Sequence, residues 1–196
     1  MNRIAAFLVA LAAAVVIAST LTRGTYVPDA VVKIEEQTPV GTNAVTFSAL
    51  GSYTSLRVIW LARTDAAATT SNLQLTFNSD SGSNYDREAG LFSGTTAGAT
   101  QDATGTFAYV GTVTGASAPS DVPGLGEILI PDYRGTTLHK GAIFHNHYKT
   151  ANSLGNIAVR NGGISWRSAA AIMSASLTLS AGNFTSGSRF SLYGVK

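Results

Sequence analysis

From Ala44 to the C-terminus, apolar and polar residues alternate with a period of two. The stretch Asn72–Asn78 is the clearest case, with Leu73, Leu75 and Phe77 on one side and Gln74 and Thr76 on the other. Successive side chains of a β-strand point to opposite faces, so this pattern predicts a half-buried strand. In Ser55–Arg63, Leu56, Val58 and Trp60 share one face, while Arg57, Ile59, Leu61 and Arg63 share the other. Apolar residues on both faces predict a central strand that is largely covered on both sides. Further short strands are predicted over 106–113, 126–130, 138–148, 156–159, 172–179 and 189–195.

Gly, Ser, Thr, Asn and Asp crowd the gaps between these runs, Ser180–Ser188 being the densest example. Such residues supply positive φ and local side-chain hydrogen bonds, which is turn chemistry. No segment after residue 44 carries a long apolar stripe of helical period, and the alanine-rich Thr64–Thr70 is too short to stand as a helix alone. Internal repeats are not apparent. Several short strands separated by turn signals predict an all-β domain over 44–196, an antiparallel β-sandwich of Greek-key or jelly-roll type.

The N-terminus differs. Residues 1–23 contain one apolar run from Ile4 to Ala18, bracketed by Arg3 and Arg23. Three readings stand side by side: an apolar assembly helix covered by neighbouring subunits, a secretory signal peptide cut near Ala18, and a membrane anchor contacting lipid through residues 4–22. The anchor fits least well, because about 20 apolar residues are needed to span a bilayer. Residues 24–43 read as an extended arm, since Pro28 and Pro39 oppose a continuous helix and Val31, Val32 and Ile34 favour a short strand.

Composition narrows the function classes. Charged residues are only 12% of the chain and the formal net charge is +2, so no basic groove for nucleic acid is expected. Cysteine is absent, which removes thiolate metal sites, a cysteine nucleophile and disulfides. Low charge with 20 glycines and many small polar residues suits a surface that meets other protein.

Candidate chemistry is sparse. His145 and His147 lie two apart on a predicted strand, so both imidazoles can reach one metal ion. Two ligands leave a site incomplete, and a trimer with this strand on its axis would supply six. The opposing reading is two surface histidines. Asp80, Asp86 and Glu88 surround a Ser/Asn/Gly loop, which is expected to be a turn held by Asx hydrogen bonds rather than an acid–base pair. No nucleophile elbow is present in a strand–turn–helix context, and no enzyme or cofactor is expected. Trp60 is expected in the core, while Trp166 beside Arg167 is placed to face a neighbour. Tyr85 and Tyr133, together with Arg134, are the exposed groups expected to contact a ligand such as a host-surface glycan.

A set of motifs adds to this reading. Ile130-Pro-Asp-Tyr-Arg-Gly-Thr-Thr137, Gly163-Ile-Ser-Trp-Arg-Ser-Ala-Ala-Ala-Ile172, Ser180-Ala-Gly-Asn-Phe-Thr-Ser-Gly-Ser-Arg-Phe-Ser-Leu-Tyr-Gly194 and Leu73–Tyr85 resemble a group of tailed-bacteriophage structural proteins. The resemblance covers about residues 44–196, and the N-terminal apolar run departs from it. It implies a virion β-sandwich, in a capsid decoration or a tail fibre or spike. It also implies oligomerisation, expected as a homotrimer packed with other virion proteins, and no catalytic residues. A host-surface glycan-binding adhesin and a secreted or membrane-anchored bacterial protein are the alternatives.

Overall fold

The computed structural model of the protein describes residues 31–151 and 157–196. The apolar helix expected over 1–23 and the first part of the arm lie outside the described residues. The described chain forms strands only: β1 (Val31–Gln37), β2 (Ala44–Phe47), β3 (Ser55–Ala62), β4 (Thr70–Phe77), β5 (Tyr85–Ser93), β6 (Thr96–Gly105), β7 (Ala108–Thr114), β8 (Gly124–Pro131), β9 (Lys140–Lys149), β10 (Ile157–Trp166), β11 (Ala175–Leu179) and β12 (Arg189–Val195).

These strands make two sheets. The larger has the order β1-β12-β3-β8-β9-β10-β5-β6 and the smaller β2-β11-β4-β7, with every ladder between them antiparallel. Both sheets feed one hydrophobic core. Leu56, Val58 and Trp60 of β3, Ile128 and Ile130 of β8 and Phe144 of β9 belong to it, as do Leu73, Leu75 and Phe77 of β4 and Leu177 of β11. The architecture is all-β and sandwich-like, as the alternation predicts.

Aromatic side chains fill the two ends of this core. Trp60 stacks on Phe190 with ring centroids 6.4 Å apart, and Phe184 meets Phe190 edge-on at 4.9 Å. At the other end Phe77, Tyr85 and Trp166 form a cluster with centroid separations of 5.6–6.5 Å. Trp60 is core, as expected. Trp166 does not face a neighbour: it is 3% exposed, and its indole N–H donates to Asp80 Oδ2 at 2.6 Å.

The short strand expected at Val31, Val32 and Ile34 is present as β1, which adds to the edge of the large sheet beside β12. One expectation needs correction: β5 takes up Tyr85–Glu88 of the expected loop, and neither β5 nor β6 was among the predicted strands. Thr64–Thr70 forms no helix, in keeping with its length; Thr64 bridges to Phe184, and the Asp65 carboxylate accepts from Asn183 N–H at 2.6 Å. The turn after β4 does follow the chemistry of its residues. Asn78 and Ser79 take φ of 53° and 56°, and the Asn78 side chain accepts from Met173 N–H and Ser174 N–H while donating to Ala171 C=O.

Candidate functional site

The large sheet has one face in the core and one face turned away from the small sheet. On the outward face the strand registers align side chains into three rows: Arg189–Leu61–Leu125–His147–Val159–Phe92, Ser191–Ile59–Glu127–His145–Asn161–Gly90, and Tyr193–Arg57–Leu129–Ile143–Gly163–Glu88. Much of this surface is apolar. Ile59 is 39% exposed, Leu125 43%, Ile143 51% and Phe92 54%. An apolar face of a sheet left in water is unfavourable in proportion to its area, and large patches of this kind mark interaction surfaces.

At the middle of the face the Arg57 guanidinium grips one carboxylate oxygen of Glu127, with Nε donating at 2.9 Å. A depression of about 320 Å³ beside this pair is walled by Ile59, Leu125, His145, His147 and Val159. Gly126, between the outward Leu125 and Glu127, stands at an inward position, where a Cβ would come within 2.8 Å of the Trp60 indole.

No family model, curated protein or solved structure matches this chain.

His145 and His147 share the outward face, as their spacing requires, and flank the depression. The Nδ1 atom of His145 lies 2.9 Å from Asn161 Oδ1, so that atom is engaged with an amide oxygen. Glu127 is the strand neighbour of His145, but its carboxylate is committed to Arg57. Among the described residues no three His, Cys, Asp or Glu side chains converge as metal ligands.

The expected ligand-contacting tyrosines are not at the surface. Tyr85 and Tyr133 are each 1% exposed. The Tyr85 hydroxyl accepts from Phe77 N–H at 2.8 Å, and the Tyr133 hydroxyl donates to Gly51 C=O at 2.7 Å. Each phenol has found a buried backbone partner, which lets an amphipathic ring enter the core. Burial pushes the Tyr85 hydroxyl up to about 12. Arg134 alone of the three is exposed, and it reaches Ser52 Oγ at the rim of a groove shared with Met173.

Two of the three carboxylates of the 80–88 region, Asp80 and Asp86, hold turns and strands together, while Glu88 is exposed on β5. Asp80 accepts from Trp166 Nε1, Asn84 Nδ2 at 2.9 Å and Gly82 N–H at 2.8 Å. The indole hydrogen bond, with those of Asn84 and Gly82, holds its carboxyl below the usual range. Asp86 accepts from Thr104 N–H at 2.9 Å and pairs with Arg167. Residues 80–84 form the Asx-held turn that the composition predicts.

Sequence reasoning reached Ile59 and Leu61 but placed them on a covered face. It did not reach Leu125, Glu127 or Ile143 as members of the same surface. The signal for Leu125 and Ile143 was an apolar outward position on neighbouring strands, visible only once the strand order is known; Glu127 carries no such signal.

Proposed function

We propose that the protein is a non-catalytic structural component of a tailed-phage virion, a capsid decoration or a tail-fibre or spike subunit, built on a jelly roll. The observation that carries this reading is the pairing of strands far apart in sequence. β1 pairs with β12, β2 with β11, β3 with β8 and β4 with β7. Strands β1 to β4 alternate between the large and small sheets, and β7, β8, β11 and β12 return along them in reverse order. A long antiparallel ribbon wrapped in this way is a pair of Greek keys in jelly-roll order, a scaffold used by viral capsid and lectin domains. The hairpin β5–β6 and the strands β9 and β10 then widen one sheet of that scaffold.

The motif resemblance and the low charge support the same assignment. Affinity in a repetitive particle comes from many weak contacts rather than one strong site. In this reading the chain resides in the virion, and its partners are copies of itself and other virion proteins. The homotrimer remains the expected assembly. A glycan-binding role loses its aromatic platform with Tyr85 and Tyr133 buried.

The test is mass spectrometry of purified particles, with antibody labelling in the electron microscope. The chain is expected at a fixed copy number and on a fixed part of the particle. Its recovery only from bacterial envelopes or culture medium would overturn the assignment and favour export.

A further inference from the structure

We infer that the outward face of the large sheet is a self-association surface, on which a second copy of this chain packs its own outward face. This inference does not rest on the virion assignment, because it follows from the pattern and size of the surface.

The sequence of β3 has the apolar pattern of a strand covered on both sides, and the fold covers only one. The missing cover must come from outside the described fold. The three rows span six strands, so at about 4.8 Å between strands and about 3.4 Å per residue the face measures roughly 600 Å² in projection. Two such faces together bury about 1,200 Å², the lower end of the range for stable interfaces. Two such sheets stack about 10 Å apart, the separation already used inside the sandwich.

The charges at the centre choose a second copy as the occupant. Arg57 and Glu127 are neighbours there, with side chains 42% and 35% exposed. A two-fold axis lying between the stacked sheets, midway between these residues, sets Arg57 of each copy over Glu127 of the other. Both ion pairs are then duplicated across the interface, and no like charges are opposed. An isologous contact requires this kind of self-complementarity. The flanking Ile59, Leu125 and Ile143 supply the apolar contact around that polar centre.

The experiment is sedimentation equilibrium of the full chain and two charge variants, Arg57→Glu and Glu127→Arg. The native chain is expected to self-associate at micromolar concentration. Each variant alone carries two like charges at the centre of its face and is expected to associate at least tenfold more weakly. An equimolar mixture of the two variants restores opposite charges across the axis and is expected to recover the native affinity. A native chain that stays monomeric, variants that associate like the native chain, or a mixture no better than its components would each overturn the inference. Circular dichroism monitors folding. If either charge variant loses its β-sheet signature, Ile59→Thr with Leu125→Thr replaces it, compared against Leu138→Thr at an apolar residue off this face that is 69% exposed. Tenfold weakening by the face variant alone supports the surface. Equal effects of both, or none, remove it. These measurements need no particle, so their outcome is separable from that of the virion assignment.

Discussion

Asn146 of β9 pairs its side-chain amide with both backbone groups of Thr112 in β7, and so ties the large sheet to the small one. Its Oδ1 accepts from Thr112 N–H at 2.8 Å, while Nδ2 donates to Thr112 C=O at 3.2 Å and to Leu125 C=O at 3.0 Å. Both residues are 2% exposed. Asn146 stands at an inward position of a strand that separates two outward histidines, where an apolar residue would ordinarily be found. The amide earns that place by acting as a short piece of neighbouring strand for Thr112.

Replacing it with alanine strips the buried N–H and C=O of Thr112 of their partner. A buried unpaired polar group costs about 1–3 kcal/mol, so Asn146→Ala is expected to destabilise the domain by about 2–4 kcal/mol. Urea unfolding measures this directly, with the midpoint falling while the slope stays constant. An unchanged midpoint would mean that the two sheets are not coupled through this amide.

Trp60 sets a second constraint, on glycines of both sheets. A Cβ at Gly111 of β7 would lie 2.6 Å from the Trp60 ring, and the ring cannot retreat because Phe190 stacks against it. Overpacking of this type costs about 1–3 kcal/mol, so Gly111→Ala is expected to lower stability by at least that much and to shift the tryptophan emission. Gly98→Ala is the comparison. That glycine lies on the exposed β6 with nothing within 4 Å of a built Cβ. There the substitution is expected to leave the thermal midpoint unchanged or slightly raised.

How much of this was legible in the sequence depended on whether a strand's inward residues are apolar. β4 and β12 show their alternation plainly, and β12 was predicted with the boundaries it has. β5 was not legible, because its inward set is Tyr85, Arg87 and Ala89, and the guanidinium in the middle breaks the apolar pattern. Arg87 is buried only because Asp102 stands 2.6 Å away and the Tyr109 ring lies over it, partners from other strands that no local pattern reveals. β6 has no pattern to read, since nearly all of its Thr, Ala and Gly residues are exposed. Tyr85 and Tyr133 misled for a related reason: turn residues around them signal surface, while their hydroxyls find backbone partners inside. The outward face of β3, β8 and β9 was half legible. Its apolar residues were visible strand by strand, but their adjacency is a property of topology.

Tyr85 makes the alkaline limit of the fold predictable. Desolvation is the largest cause of its raised pKa, the nearby Asp80 charge adds to it, and the hydrogen bond from Phe77 N–H opposes both. The folded value of about 12 exceeds the 10.0 of the free side chain, so the folded state holds the proton more tightly. Stability from the neutral phenol is therefore complete below pH ~10 and is lost as the pH rises towards ~12, a loss on the order of 3 kcal/mol. In an absorbance titration of the native chain against Tyr85→Phe, the Tyr85 phenol is expected to ionise only together with loss of the β-sheet signal. Tyr85→Phe should flatten this alkaline decline, although its stability at neutral pH falls because Phe77 N–H loses its acceptor. A tyrosine spectrum that titrates fully before unfolding would show that this hydroxyl is not sealed in.

Arg63 organises the connection between β7 and β8, and the geometry of its head group is what matters. Nη1 donates to Val122 C=O at 2.6 Å and to Pro119 C=O, while Nη2 donates to Gly115 C=O at 3.0 Å and Ala118 C=O at 3.3 Å. One planar guanidinium thus collects four carbonyls of this loop, three of which also accept from a loop N–H or from the Thr114 hydroxyl. A lysine ammonium has the same charge but only three donors on a single atom, so it cannot span that set. Arg63→Lys is expected to cost about 1–3 kcal/mol, since hydrogen bonds to charged groups exceed neutral ones. Hydrogen exchange should localise the effect: amides over 115–122 exchange faster, whereas the β3 and β4 ladders keep their protection. Uniform loss of protection across the sandwich would instead show that Arg63 supports the whole core rather than this loop.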